Sequence, residues 1–227
     1  MTTCAILLPG SGLGSWIWAK VAPDLDQVVT IDYPAEARTG WGLTDYARHV
    51  ITQIDAAEAD RVTLVGHSIG TVVALETAAL LGERVDGLLS IAGVVPAPGG
   101  SFFSAFPLPQ RAIVSTMVRL LGTRPPEGML RKGLCAGLDE AAADDIIDRF
   151  APESQRLFRD APRQPAAVFA RGYVHTTRDQ EIPPALQQRF GERLDAGFRA
   201  EVESGHLPML ETPSRLVAVI RDFLATV

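Results

Sequence analysis

The chain has 227 residues, 47% of them hydrophobic, which suffices for one large domain or for a domain carrying an insertion. Its net charge of −6 is spread along the sequence without blocks of one sign, which argues against nucleic acid and an anionic membrane surface as main partners. The two cysteines, Cys4 and Cys135, lie far apart with no CxxC and no metal spacing, so they imply neither a disulfide framework nor a metal site and fit a reducing cytoplasm.

The first residues lack a basic leader, and the apolar run that follows ends at Pro9, so neither a signal peptide nor a membrane span is expected. Residues 4–8 read as a buried strand. The Gly-rich loop 10–14 follows it, but the third glycine of a dinucleotide fingerprint is out of place, and a loop whose N–H groups face Ser68 is the better reading. A second strand over 28–31 ends at Asp32, a turn former. From Leu43, apolar residues recur at Tyr46, Ala47, Val50, Ile51 and Ile54, which predicts an amphipathic helix with His49 on its outer side.

Residues 61–65 are short, apolar and β-branched, and residues 71–81 are long and rich in Ala and Leu, ending at Gly82. Between them stands Gly66-His67-Ser68-Ile69-Gly70. A G-x-S-x-G pattern on a strand–turn–helix junction projects its serine at the carboxyl edge of a sheet, beside a helix N-terminus where developing negative charge is favoured. A further strand over 85–92 ends in the Pro/Gly-rich break 93–100. The alternation then lapses into a helical pattern from Ser101 to about Gln164, with turns at 122–126, 135–138 and 151–153. It resumes with strands at 166–174 and 198–202, a helix near 185–190, and a last helix capped by Thr212 with Pro213 in its first turn. This rhythm predicts a doubly wound α/β fold with a mostly parallel sheet of about six strands. The expected division is a core over 1–96 and 165–227, with 97–164 inserted as a helical lid.

Ligands of such sheets bind beyond the carboxyl ends of the strands, where Ser68, the loop 10–14, Asp179 and His206 should gather. A serine hydroxyl needs a base within reach. His206, in a Gly-flanked loop after the last strand, is the candidate; His67 should point away from the turn, and His175 at a strand end is the weaker rival. The imidazole needs a carboxylate, and Asp179 closes the preceding strand, with Glu181 as the nearby rival. The order Ser, Asp, His is that of a nucleophile elbow.

The motifs Pro9-Gly10-Ser11-Gly12, Gly66-His67-Ser68-Ile69-Gly70, Asp179-Gln180-Glu181-Ile182-Pro183 and Gly205-His206 resemble the α/β-hydrolase superfamily from first strand to last helix, the lid region apart. Trp16-Ile17-Trp18, Thr177-Arg178-Asp179 and His206-Leu207-Pro208-Met209-Leu210 resemble its plant methylesterase and hydroxynitrile lyase branch. The resemblance implies Ser68 as nucleophile, His206 as base, Asp179 as orienting acid, and the N–H groups of Ser11 and Ile69 as oxyanion hole. It sets Gly10, Trp16 and Leu207 along the substrate pocket. Pro9 departs from the histidine usual before the glycine. The lyases of the branch carry threonine where Gly10 stands and lysine where Leu207 stands, so the resemblance favours ester hydrolysis of a small apolar substrate, without metal or organic cofactor. Two other classes share the triad: a lyase, cyclase or acyltransferase, and a ligand-binding receptor. The apolar lid region also offers a face for a homodimer.

Overall fold

The computed structural model describes residues 3–35 and 37–227. Six strands form one sheet: β1 (Thr3–Leu8), β2 (Val28–Thr30), β3 (Arg61–His67), β4 (Val85–Ile91), β5 (Ala170–Thr176) and β6 (Phe198–Val202). They lie in the order β2-β1-β3-β4-β5-β6, and every pairing is parallel. The helices are α1 (Ala37–Gly40), α2 (Leu43–Ala56), α3 (Gly70–Leu81), α4 (Leu108–Leu121), α5 (Glu127–Lys132), α6 (Glu140–Arg149), α7 (Gln155–Arg159), α8 (Pro184–Arg193), α9 (Pro208–Glu211) and α10 (Pro213–Leu224). The helices α4 to α7 all fall between β4 and β5.

The inner strands β1, β3 and β4 are mostly apolar because both faces of the sheet are covered there, whereas the edge strand β6 exposes Arg199 and Glu201. Successive side chains of β1 alternate between two cores: Ile6 and Leu8 join one, Ala5 and Leu7 the other. The first core packs against α2, α3 and α8, the second against α6 and α10. α2 buries one face, with Tyr46, Val50 and Ile54 inward. α3 is buried almost all round, down to Glu76 at 1% exposure. That carboxylate accepts the Thr44 hydroxyl at 2.7 Å and the Arg163 N–H at 2.8 Å, and pairs with the Arg163 guanidinium. A buried charge thereby has partners from α2 and from the approach to β5.

Two predicted boundaries move. The strand expected over 166–174 runs instead from Ala170 to Thr176, because pairing with β4 starts only at Gly87 opposite Ala170 and Val168 is 97% exposed. Thr212 holds the cap position of α10, with Pro213 in its first turn, but its hydroxyl donates back to the Pro208 carbonyl at 3.5 Å instead of capping the helix.

On the second core, Phe223 of α10 is fully buried and lies over the sheet where β4 and β5 present glycines. A Cβ at Gly87 would stand 3.1 Å from its ring and one at Gly172 2.8 Å. The ring also meets Phe198 edge-on at 5.4 Å. Phe223→Ala is expected to cost about 3–5 kcal/mol. Urea unfolding should show a lower midpoint at unchanged slope.

Candidate active site

β3 runs into α3 through a turn at Ser68, whose φ is +54°. This left-handed conformation strains a residue with a side chain and occurs where surrounding bonds impose it. Here the Ser68 N–H donates to the Ile91 carbonyl at 3.1 Å. The Ser68 carbonyl accepts from the N–H groups of Thr71 at 3.1 Å and Val94 at 3.2 Å. The turn passes so close to the end of β1 that a Cβ at Gly70 would stand 2.6 Å from the Pro9 carbonyl oxygen.

His206 sits in the loop between β6 and α9 and is 1% exposed. Its Nδ1 lies 2.8 Å from Asp179 Oδ2. The same Asp179 oxygen accepts the Thr176 hydroxyl at 2.8 Å and the Gln187 amide at 3.0 Å. Its other oxygen accepts the N–H groups of Glu181 and Ile182, both at 2.8 Å. Gln187, fully buried on α8, also accepts the Thr176 N–H and donates to the Ile182 carbonyl at 2.7 Å, so β5, α8 and the loop between them fix the carboxylate from several sides.

These contacts set the charges. Burial by itself raises the Asp179 carboxyl, but the His206 charge and the hydrogen bonds from His206, Ile182 and Thr176 outweigh it and hold the group below the usual carboxylate range. Burial by itself lowers His206, and the charge and hydrogen bond of Asp179, with the charge of Glu181, lift it above the ordinary histidine value. The imidazole is thus basic, with Nδ1 committed to Asp179 and Nε2 left for proton transfer.

Gly10, Ser11, His67, Ser68, Ile69 and His206 line one cavity of about 190 Å³. Its other walls are largely apolar: Phe102 and Phe106, Val114, Met117 and Val118 of α4, and Phe158 of α7. The N–H groups of Ser11 and Ile69 have no acceptor among the described residues. No hydrogen bond joins the Ser68 hydroxyl to His206 among those residues; such contacts commonly tighten only with substrate bound.

Several side chains lie elsewhere than the sequence suggests. His67 does not point away: it is fully buried, lines the cavity, and its ring centroid lies 4.8 Å from that of His206. Its Nε2 is 2.9 Å from the His206 carbonyl oxygen, which only accepts, so Nε2 carries the proton. Burial and then the neighbouring His206 charge lower its pKa to about 3, so it is a neutral support under the His206 backbone. Of the two acids, Asp179 holds the imidazole. Glu181 lines the cavity with its carboxylate packed against Gly133, and burial raises its pKa against the pull of the His206 charge. The His175 ring lies tilted against that of Tyr173, centroids 4.7 Å apart, and His49 bonds the Asp32 carbonyl at 3.0 Å, both outside the cavity lining. Asp32 bonds the Tyr33 N–H at 3.1 Å, as a turn former does.

Gly10 lines the cavity, but Trp16 and Leu207 do not. Trp16 lies under the Arg149 guanidinium, 4.0 Å from its ring centroid, in a separate cleft of about 490 Å³. Leu207 is fully buried in the second core. Their positions are set by packing that residue type alone does not reveal. Nor does any local pattern mark Gln187 and Thr176 as the braces of Asp179.

A Cβ at Gly10 would stand 2.8 Å from His67 Nδ1 and 3.1 Å from the Ser68 Cβ. Gly10→Ala is therefore expected to displace site groups directly. Displacements near 1 Å cost up to about 100-fold in rate. Steady-state kinetics should show a fall of about 10–100-fold in kcat, and thermal unfolding a loss of about 1–3 kcal/mol from crowding the buried His67.

The chain matches known proteins along nearly its whole length. The pattern of the alpha/beta hydrolase family matches residues 5–219. Epoxide hydrolase EphH of Mycobacterium tuberculosis (strain ATCC 25618 / H37Rv) is 28% identical over 204 residues, covering 78% of this chain and 92% of that protein. Among solved structures, an extracellular alpha/beta-hydrolase from a Paenibacillus species, described as sharing homology with tobacco salicylic acid binding protein 2, superposes with a TM-score of 0.85. It is 19% identical, over 97% of this chain and 98% of that one. The methylesterase MES16 from Arabidopsis gives a TM-score of 0.80 at 16% identity over the whole of both chains. At such identities the structural likeness speaks for the fold.

Proposed function

The chain belongs to the alpha/beta hydrolase family, and we propose that it is an esterase that cleaves small, apolar carboxylic esters through an acyl-enzyme on Ser68. The observation that carries this is the convergence on one apolar cavity of a strained serine, a buried His206–Asp179 pair and the acceptor-free N–H groups of Ser11 and Ile69. In this scheme His206 Nε2 takes the Ser68 proton as Oγ attacks the carbonyl carbon. The N–H groups of Ser11 and Ile69, the latter at the N-terminus of α3, receive the oxyanion. His206 then protonates the departing alcohol, and a water activated by the same nitrogen releases the acid. The segment 97–164 acts as the lid that supplies the apolar wall. No step asks for a metal or an organic cofactor.

The relative named as an epoxide hydrolase suggests another substrate, and chemistry favours the ester. A serine oxygen that opened an epoxide would be left as an ether, which water does not release under these conditions; an acyl group on serine is an ester and turns over. Gly10, which lines the cavity, brings it no hydroxyl to support a cyanide-releasing reaction.

Hydrolysis of p-nitrophenyl esters of increasing acyl length tests the proposal, with labelling by a fluorophosphonate alongside. Turnover is expected to favour short acyl groups, because the cavity of about 190 Å³ is small. Labelling without turnover would point to a receptor, and product formed without incorporation of water to a lyase or transferase; either result would overturn the ester reading.

A further inference from the structure

Glu181 lines the cavity and takes no part in the acyl-enzyme steps. Its N–H and that of Ile182 both donate to Asp179 Oδ1 at 2.8 Å. The loop that orients the catalytic acid therefore also fixes the backbone that carries Glu181. The side chain is exposed, and its carboxylate rests against Gly133, where a Cβ would collide with Oε2. Among the described residues that carboxylate has neither a hydrogen bond nor an ion pair. Arg124 lines the same cavity but is engaged elsewhere: it donates to the carbonyls of Phe150 and Ile147 and lies over the Phe150 ring, 5.8 Å from its centroid. The charges that act on Glu181 are those of His206 and Asp179, and Arg124 is not among them. His206 is a cation only during the reaction, and Asp179 already answers it at 2.8 Å.

A carboxylate crowded by protein and lacking a counter-charge is costly, and a cation brought by the ligand offsets that cost. From this placement we infer that Glu181 selects the substrate by receiving an ammonium carried on the alcohol side of the ester. The inference rests on the ester reading and narrows it to esters of amino alcohols. The side follows from His206. The residue that protonates the departing alcohol is the one whose charge reaches Glu181, so the alcohol stands on the side of Glu181. That leaves the apolar wall of Phe102, Val114 and Val118 to the acyl group. A hydroxyl on the alcohol would satisfy one carboxylate lone pair; an ammonium answers the charge as well. Burial raises the Glu181 carboxyl, and an ammonium beside it favours the ionised form again.

The test compares two esters of one shape. In 2-(dimethylamino)ethyl butyrate the alcohol carries an N–H⁺ at neutral pH; in 3-methylbutyl butyrate carbon replaces that nitrogen. Water releases butyrate and the alcohol from both. The readout is the ratio of kcat/KM, cationic over neutral ester, taken on one protein at a time, so a change in the basicity of His206 cancels. Glu181→Gln is expected to lower this ratio about 10-fold, as fits the loss of one hydrogen bond between charged groups. Glu181→Lys should lower it further. The side chain is exposed, and thermal unfolding should show both variants folded. A ratio unchanged in Glu181→Gln would overturn the inference and leave the ester reading standing. If the wild type hydrolyses neither ester, calorimetric titration of Ser68→Ala carries the comparison. Adding Glu181→Gln to it should weaken the cationic ester about 10-fold relative to the neutral one. Weakening there would keep the ammonium site while hydrolysis fell; equal affinities before and after would overturn the inference.

Discussion

Replacing Ser68 by alanine is expected to lower kcat by about 10⁴–10⁶-fold, leaving only the catalysis supplied by binding and oxyanion donors. The unfolding midpoint should barely move. The strain at this position belongs to the backbone, at φ +54°, and alanine bears it much as serine does. Glycine separates the two properties. Ser68→Gly loses the nucleophile as completely, but it removes the clash of a Cβ in the left-handed region and should be more stable than Ser68→Ala by roughly 1 kcal/mol. Initial-rate kinetics and thermal unfolding on the three proteins check both halves. If Ser68→Ala kept its activity, the nucleophile assignment would fall. If Ser68→Gly were the less stable variant, the bonds from Ile91, Thr71 and Val94 would not be holding a strained turn.

Much of this arrangement could be read in the sequence, for a definable reason. Parallel strands covered on both faces leave continuous apolar runs such as 61–65 and 85–91, and the glycines around Ser68 mark a place where backbone meets backbone. These signals are local. What stayed hidden depends on contacts far along the chain. His67 turns inward because its Nε2 meets the carbonyl of His206, a partner 139 residues away. Gln187 reaches Asp179 from a helix whose pattern shows only a buried position. Trp16 and Leu207, set along the pocket by their neighbours in sequence, are carried elsewhere by the packing around them.

Asp179→Asn is expected to cost about 10⁴-fold in kcat while leaving the fold in place. The amide can still accept the Glu181 and Ile182 N–H groups through one oxygen. At Nδ1 of His206 it offers an N–H where the carboxylate accepted one, which favours the tautomer that protonates Nε2 and removes the base. The pH profile adds an independent readout. His206 must be neutral to act, and Asp179 raises its pKa above the usual histidine value, so kcat/KM of the wild type should fall as pH drops through that raised value. Without the carboxylate charge, burial dominates and lowers His206, so the acid limb of the variant should move to lower pH even as the plateau collapses. Stability follows the opposite sign at the acid itself. Asp179, held below its ordinary value, stabilises the native state above pH 4 or so and loses that contribution as pH falls through its folded pKa, a loss Asp179→Asn should not show. An acid limb that stayed in place in Asp179→Asn would mean that another group sets the basicity of His206, and Glu181, whose charge also reaches the imidazole, would be the residue to replace next.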